Sequence, residues 1–324
     1  MKGKIKKLIL GSGLSPKNQC FANVQVTNIG EWISFADQLS KSGWIFRGQA
    51  DSSWFVRSTL DRILPYRYPI AAYDDKMKVL DNEQRLRKFE HEIIDSFLGD
   101  KKVKEVNFHV LTEMQHYGAP TRLIDFTHSP FIACFFAFNT SYSCKCSVWA
   151  VNMSFLNRNW SEKFNEVERV VNKILGDNEA FKCFEQWDMI AVEPEKHINC
   201  VRVKAQQSIF LLPLWLSNSV SDVFNYALAN LNQMDVLKSS TYDEVPRLKY
   251  EWKQICESKI DRFKVIKFTF ENNFRSEVLN VLKEKGIVPS FVFPDMSLKE
   301  KKAQDIAFKL KCAPMLELST PFNF

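Results

Sequence analysis

The stretch MQHYGAPTRLIDFTHSPFIACFFA, residues 114–137, restricts the fold more than any other part of the chain. Ser129 followed by Pro130 is a strong helix start: a side chain that caps free amides, then the residue whose fixed φ suits the first helical position. Before it, Gly-Ala-Pro at 118–120 breaks the preceding helix, and TRLIDF (121–126) fits a strand. The same stretch holds His116, Arg122, Asp125 and His128 among core residues. An apolar strand carries Arg and Asp only when they have partners. Arg122 and Asp125 are three apart, which puts them on opposite faces of a regular strand, so they pair only across a bend.

Elements on either side follow from periodicity. Residues 27–42 read as a helix, with Asn28 and Glu31 as a capping pair, Trp32, Phe35 and Leu39 on one face, and Gly43 as its stop. WIFRGQ (44–49) follows as a strand. Residues 60–73, with Pro65 and Pro69, read as a loop, and 75–97 as a long helix bearing Leu86, Phe89, Ile93 and Phe97 on one side. A short helix carries Phe108 and Leu111 toward Tyr117. Further strands are expected at 147–152, 189–192, 201–203, 208–213 and 263–270, and helices near 162–175, 219–233, 273–285 and 299–311. Without regular βαβ alternation, the class is α+β: a mixed, mostly antiparallel split sheet flanked by helices. The organisation expected is an N-terminal segment (1–26), one globular unit (27–312) and a C-terminal tail (313–324).

Composition removes several classes of function. Hydrophobic residues at 45% and charged residues at 25% are those of an ordinary globular protein, and 27 Phe with 8 Trp predict a core packed with rings. The net charge of +6 is spread along the chain; its densest basic stretch, MKGKIKK, reads as a solvated tail. The apolar run after it is too short for a signal peptide, and Phe131 to Phe138 is too short to cross a membrane, so a cytoplasmic location is expected. Eight scattered cysteines, with one CxC pair at Cys144 and Cys146, predict reduced thiols and no metal. No phosphate loop, HExxH pair or GxSxG elbow is present.

The polar residues define a candidate site. Arg47 ends an apolar strand beside Gly48 and Gln49; its planar fork suits a diphosphate or carboxylate, or else it clips Asp51 or Asp125. Thr127 and Ser129 stand at a helix N-terminus, where amides and dipole favour an anion, or where Ser129 is simply a cap. His116, beside Tyr117, is a candidate acid or base, or a ring bonded to a backbone carbonyl.

Three stretches, GWIFRGQADSSWFVRSTLDR (43–62), LTEMQHYGAPTRLIDFTHSPFIACFFAF (111–138) and RVKAQQSIF (202–210), resemble the FRG domain, named after its Phe-Arg-Gly motif. GIVPSFVFPDM (286–296) resembles that family's closing strand and Phe-Pro-Asp turn, so the likeness runs from about Glu31 to Leu310. Ser208 stands where the family usually has Gly. The order of motifs also resembles the ADP-ribosyltransferase fold. That likeness implies a core of that type, NAD as substrate, Arg47 on a phosphate, and Thr127 and Ser129 at the nicotinamide, with Gly48, Gln49, Tyr117 and Arg122 as further ligand contacts. The transferases use a late Glu to polarise the ribose; here the matching strand reads AQQSIF, with Gln206 and Gln207 and no carboxylate. Asp125, then Glu193, is the candidate to supply the charge, with His116 and Gln206 as the other catalytic candidates. The expectation is an NAD-binding transferase or glycohydrolase, a toxin or phage-defence effector acting on a protein or nucleic-acid acceptor. The alternative is a nucleotide- or nucleic-acid-sensing module without turnover.

Overall fold

The computed structural model describes residues 21–64, 76–99, 107–140, 145–156, 164–176, 179–183, 189–194, 201–217, 220, 224, 249–250 and 264–312. In chain order the elements are β1 (Phe21–Gln25), α1 (Ile29–Lys41), β2 (Trp44–Gln49), α2 (Thr59–Ile63), α3 (Lys76–Leu98), α4 (Phe108–His116), β3 (Ile124–Thr127) and α5 (Pro130–Phe138). There follow β4 (Cys146–Asn152), α6 (Met153–Leu156), α7 (Phe164–Gly176), β5 (Met189–Val192), α8 (Val201–Ala205), β6 (Ser208–Pro213), β7 (Lys249–Tyr250) and β8 (Val265–Phe270). The last helices are α9 (Arg275–Glu284), α10 (Pro289–Val292) and α11 (Leu298–Cys312).

The strands join in one eight-stranded sheet of order β5-β6-β3-β2-β4-β8-β1-β7. Pairing is antiparallel except at the edge, where β1 runs parallel to β8 and β7. The class is therefore α+β with a mostly antiparallel sheet. At one seam the sheet is held by little: β2 and β3 share a single registered pair, Phe46 with Thr127. By contrast β2 and β4 are in register over their whole length. β1, from residues 21–25, pairs between β8 and β7.

Helices cover both faces. Trp44 and Phe46 of β2 turn to one face, where α1 and α5 pack with Trp32, Phe135, Phe138, Phe268 and Phe270. Ile45 turns to the other, with Phe126, Trp149 and Val151. Helices α4 and α7 cover the β5–β6 end through Phe108, Leu111, Ile174 and Phe210. Ser129 caps α5 by accepting from the Ile132 amide at 3.3 Å, with Pro130 at the first turn, and Asn28 caps α1 by accepting from the Glu31 amide. No helix among the described residues is long and apolar enough to cross a membrane.

Several local expectations are corrected. Residues 201–203 lie in α8, not in a strand; its i,i+4 spacing lets Arg202 and Gln206 act on one segment, a tertiary demand that overrides β-branched propensity. TRLIDF is strand only from Ile124, because the Thr121 hydroxyl accepts from the Leu123 amide and bends the chain at Arg122. Leu60 sits in the short helix α2, capped by Ser58. The closing strand expected in 286–296 is α10. Pro65, Pro69 and most of the helix expected at 219–233 lie outside the described residues.

Candidate functional site

Where β2 and β3 part, a cavity of about 440 Å³ opens between β2, β3, α4 and α8, with Phe293 contributing from the segment after α10. That volume is in the range of small-molecule sites. The Phe-Arg-Gly triplet builds one wall, and each residue has its own task. Phe46 is buried in the core. A Cβ on Gly48 would sit 1.8 Å from the Ala133 carbonyl oxygen, so only glycine lets α5 lie this close to β2. Between them the half-buried Arg47 reaches into the cavity.

Arg47 donates from Nη1 to the Asp125 backbone carbonyl at 2.6 Å. Its Nε is buried and has no hydrogen-bond partner. Arg47 thus lines the cavity with a guanidinium whose Nε is uncommitted, a planar group suited to gripping an oxyanion bidentately. Burial pushes the guanidinium below its ordinary pKa; the nearby Asp125 charge opposes this and Arg62 adds to it. Gln49, the next residue, lines the cavity but is already engaged: Nε2 donates to the Phe55 carbonyl at 3.1 Å and Oε1 accepts from Trp149 Nε1 at 2.6 Å.

Asp125 faces the same cavity and is exposed, not buried as a paired strand carboxylate would be. Gln115 Nε2 lies 3.1 and 3.0 Å from its two oxygens, and the Thr121 hydroxyl donates to Gln115 Oε1, which fixes the amide's orientation. His116 lines the cavity too, exposed at the end of α4. Among the described lining residues Asp125 is the one carboxylate, against Arg47, Arg62 and Arg202. Arg202 is balanced by Asp295, in a two-contact pair at 3.0 and 2.7 Å.

Gln206 and Gln207 lie in a turn rather than a strand, with Gln207 at φ +46° and exposed. Gln206 lines the cavity, but Nε2 donates to the Val292 carbonyl at 3.2 Å, and its own carbonyl accepts from the Thr127 hydroxyl at 2.7 Å. That hydroxyl also accepts from the Ser129 amide at 3.0 Å, so Thr127 holds the β3–α5 corner together. Glu193 pairs with His128 at 2.8 Å, beside the lining residue Pro194.

Three expected site residues do not line the cavity. Tyr117 is 70% exposed, its ring against those of His116 and Phe97. Ser129 is the α5 cap. Arg122 is fully buried and bonded through Nε and Nη2 to Glu90, with Nη1 donating to the Pro213 carbonyl. Beside it on α3, Arg87 bonds to Glu83, which accepts from the Leu216 and Ser217 amides. These four charges tie α3 to the sheet. Sequence reasoning missed Gln115, Arg62, Trp54 and Arg202, all of which line the cavity. Gln115 was the most accessible of them, since it stands i,i+3 from Thr112 on the helix face that carries the site.

No curated protein and no solved structure matches the chain. The FRG domain family model matches residues 42–145, a narrower span than the resemblance in sequence, and it takes in β2, α4, β3 and α5, which bring Arg47, Gly48, Gln115 and Asp125 to the cavity. The chain carries an FRG domain at 42–145, which supplies Arg47, Gln115 and Asp125 to the site, while Arg202 and Gln206 come from beyond it.

Proposed function

We propose that the cavity binds a dinucleotide of the NAD class and breaks its N-glycosidic bond, as the likeness in motif order to ADP-ribosyltransferases implies. The observation that carries this reading is one cavity lined both by Arg47, whose Nε has no hydrogen-bond partner, and by Asp125, the one carboxylate among the described lining residues. The planar guanidinium matches a diphosphate oxygen pair. The carboxylate supplies the charge that the absent late Glu would have given. As the bond from ribose C1′ to nicotinamide breaks, its electron pair passes to the pyridinium nitrogen and neutral nicotinamide leaves. Asp125 stabilises the cationic ribose, and water adds at C1′ with loss of a proton; a hydroxyl of a protein or nucleic acid in place of water gives transfer, the chemistry of a toxin or phage-defence effector.

A second reading, a nucleotide sensor without turnover, is favoured by the hold of Gln115 on both Asp125 oxygens, which restricts their freedom to move. Incubation of the purified chain with NAD, with nicotinamide release and ADP-ribose binding measured together, decides. Release that is lost in Asp125→Asn is the expected result. Binding without release establishes the sensor, and absence of both overturns the nucleotide assignment.

A further inference from the structure

One side chain on the cavity wall has no structural employment. Trp54 lines the cavity, is 53% exposed, and among the described residues neither stacks on another ring nor hydrogen-bonds through its indole. An exposed tryptophan on a soft loop would be unremarkable, but this loop is held from several sides. The Ser53 amide donates to Asp51 Oδ1 at 2.7 Å and the Trp54 amide to the Asp51 carbonyl at 3.2 Å, closing a tight turn. The Ser52 amide donates to the Lys145 carbonyl at 2.7 Å. Beyond Trp54, the Phe55 carbonyl takes the Gln49 amide.

The fourth restraint is a buried cation. Lys267 of β8, 6% exposed, donates to the Ser52 carbonyl and lies 5.0 Å from the centre of the Trp149 ring. Burying an ammonium is costly, and here part of its compensation comes from the loop that carries Trp54. A flat, half-exposed ring carried on a braced backbone, in the same cavity wall as Arg47 and the exposed Arg62, has the form of a stacking surface for a planar heterocycle attached to an anion.

The geometry points to Trp54 as the platform on which the adenine ring of the dinucleotide stacks. This rests on the dinucleotide reading above: the nicotinamide ribose must face Asp125, which leaves the adenine as the ring for Trp54. It makes Trp54 a specificity residue, favouring ligands that carry a second planar base over simple sugar phosphates.

Binding of ADP-ribose, NAD and inorganic pyrophosphate by calorimetry, to the parent, Trp54→Ala and Trp54→Phe, tests it. Trp54 is exposed, so its removal leaves the fold standing, which a thermal melt verifies. Trp54→Ala should weaken ADP-ribose and NAD by about tenfold or more and leave pyrophosphate unchanged, with Trp54→Phe recovering most of the loss. Unchanged ADP-ribose affinity in Trp54→Ala overturns the inference alone. So does an equal loss for pyrophosphate, or a loss confined to NAD, which would put nicotinamide on the ring. A parent that binds neither ADP-ribose nor NAD overturns the inference together with the dinucleotide reading.

Discussion

Arg47 is tied to Asp125 through the backbone carbonyl of that residue, at 2.6 Å, and not through its carboxylate. Changing the Asp125 side chain therefore leaves the anchor of Arg47 intact. Asp125→Asn removes one exposed charge and keeps an oxygen for Gln115. Its stability should stay within about 0.5 kcal/mol of the parent, while nicotinamide release falls by about 10²-fold or more. Thermal unfolding and a release assay on the same preparation check both halves.

Arg47→Lys keeps the charge but loses the planar edge. An ammonium reaches either the Asp125 carbonyl or the ligand, and grips neither with two parallel bonds. ADP-ribose affinity should fall by roughly 10–100-fold, the loss of about one charged hydrogen bond, with the melting temperature little moved.

Gly48→Ala tests packing. The added methyl meets the Ala133 carbonyl, a backbone atom that cannot swing aside. Either α5 shifts away from β2 or the chain fails to fold, so a loss of about 1–3 kcal/mol is the minimum expected in denaturant melts.

The Glu90–Arg122 pair lies out of reach of the ligand and should behave as structure alone. Burial pulls the Arg122 guanidinium down while Glu90 pulls it up, and the balance stands above its ordinary value, so Arg122 stays charged. Glu90→Gln leaves a buried cation with weakened compensation and should cost about 3–5 kcal/mol in unfolding, with ADP-ribose affinity per folded molecule unchanged.

The Arg202–Asp295 contact holds the segment after α10 against the cavity. Desolvation raises the Asp295 pKa, but its bonds to Arg202 outweigh this and leave it below the ordinary 3.8. A depressed acid stabilises the folded form fully above that ordinary value, and the contribution is lost as pH falls through the lower, folded one. Hydrogen exchange at 291–296 should therefore be slow at neutral pH and faster in Asp295→Asn, with the difference vanishing as pH falls through the lowered, folded pKa; equal protection in both proteins at neutral pH would assign the hold to Gln206 and Val292 instead.

Much of the frame was legible because its signals are local. The Asn28 cap, the Ser129-Pro130 start and the strand limits at Trp44–Gln49 and Ser208–Pro213 follow from side-chain chemistry within a few residues. What misled were residues whose partners are distant in sequence. Arg122 looked like a ligand contact because Glu90 is 32 positions away, and residues 201–203 looked like a strand because Asp295, which bonds to Arg202, is 93 away from it. Arg47, Gly48, Asp125 and Gln206, which the motif marks, all line the cavity, yet the contacts that fix Gly48 and Gln206, with α5 and Val292, became visible only in three dimensions.

The lone Phe46–Thr127 rung at the seam bears on how the domain could have been moved between proteins. Residues 42–145 give one strand to each side of the seam: β2 leans on β4, which begins at Cys146, and β3 leans on β6, more than eighty positions further on. Cut out at its matched limits, the segment would hold two strands joined by one rung, each with a raw edge open to any passing chain. It is therefore not a portable module but the inner half of a clasp, and any transfer or fusion that keeps the pocket must carry β4 and β6 along with it.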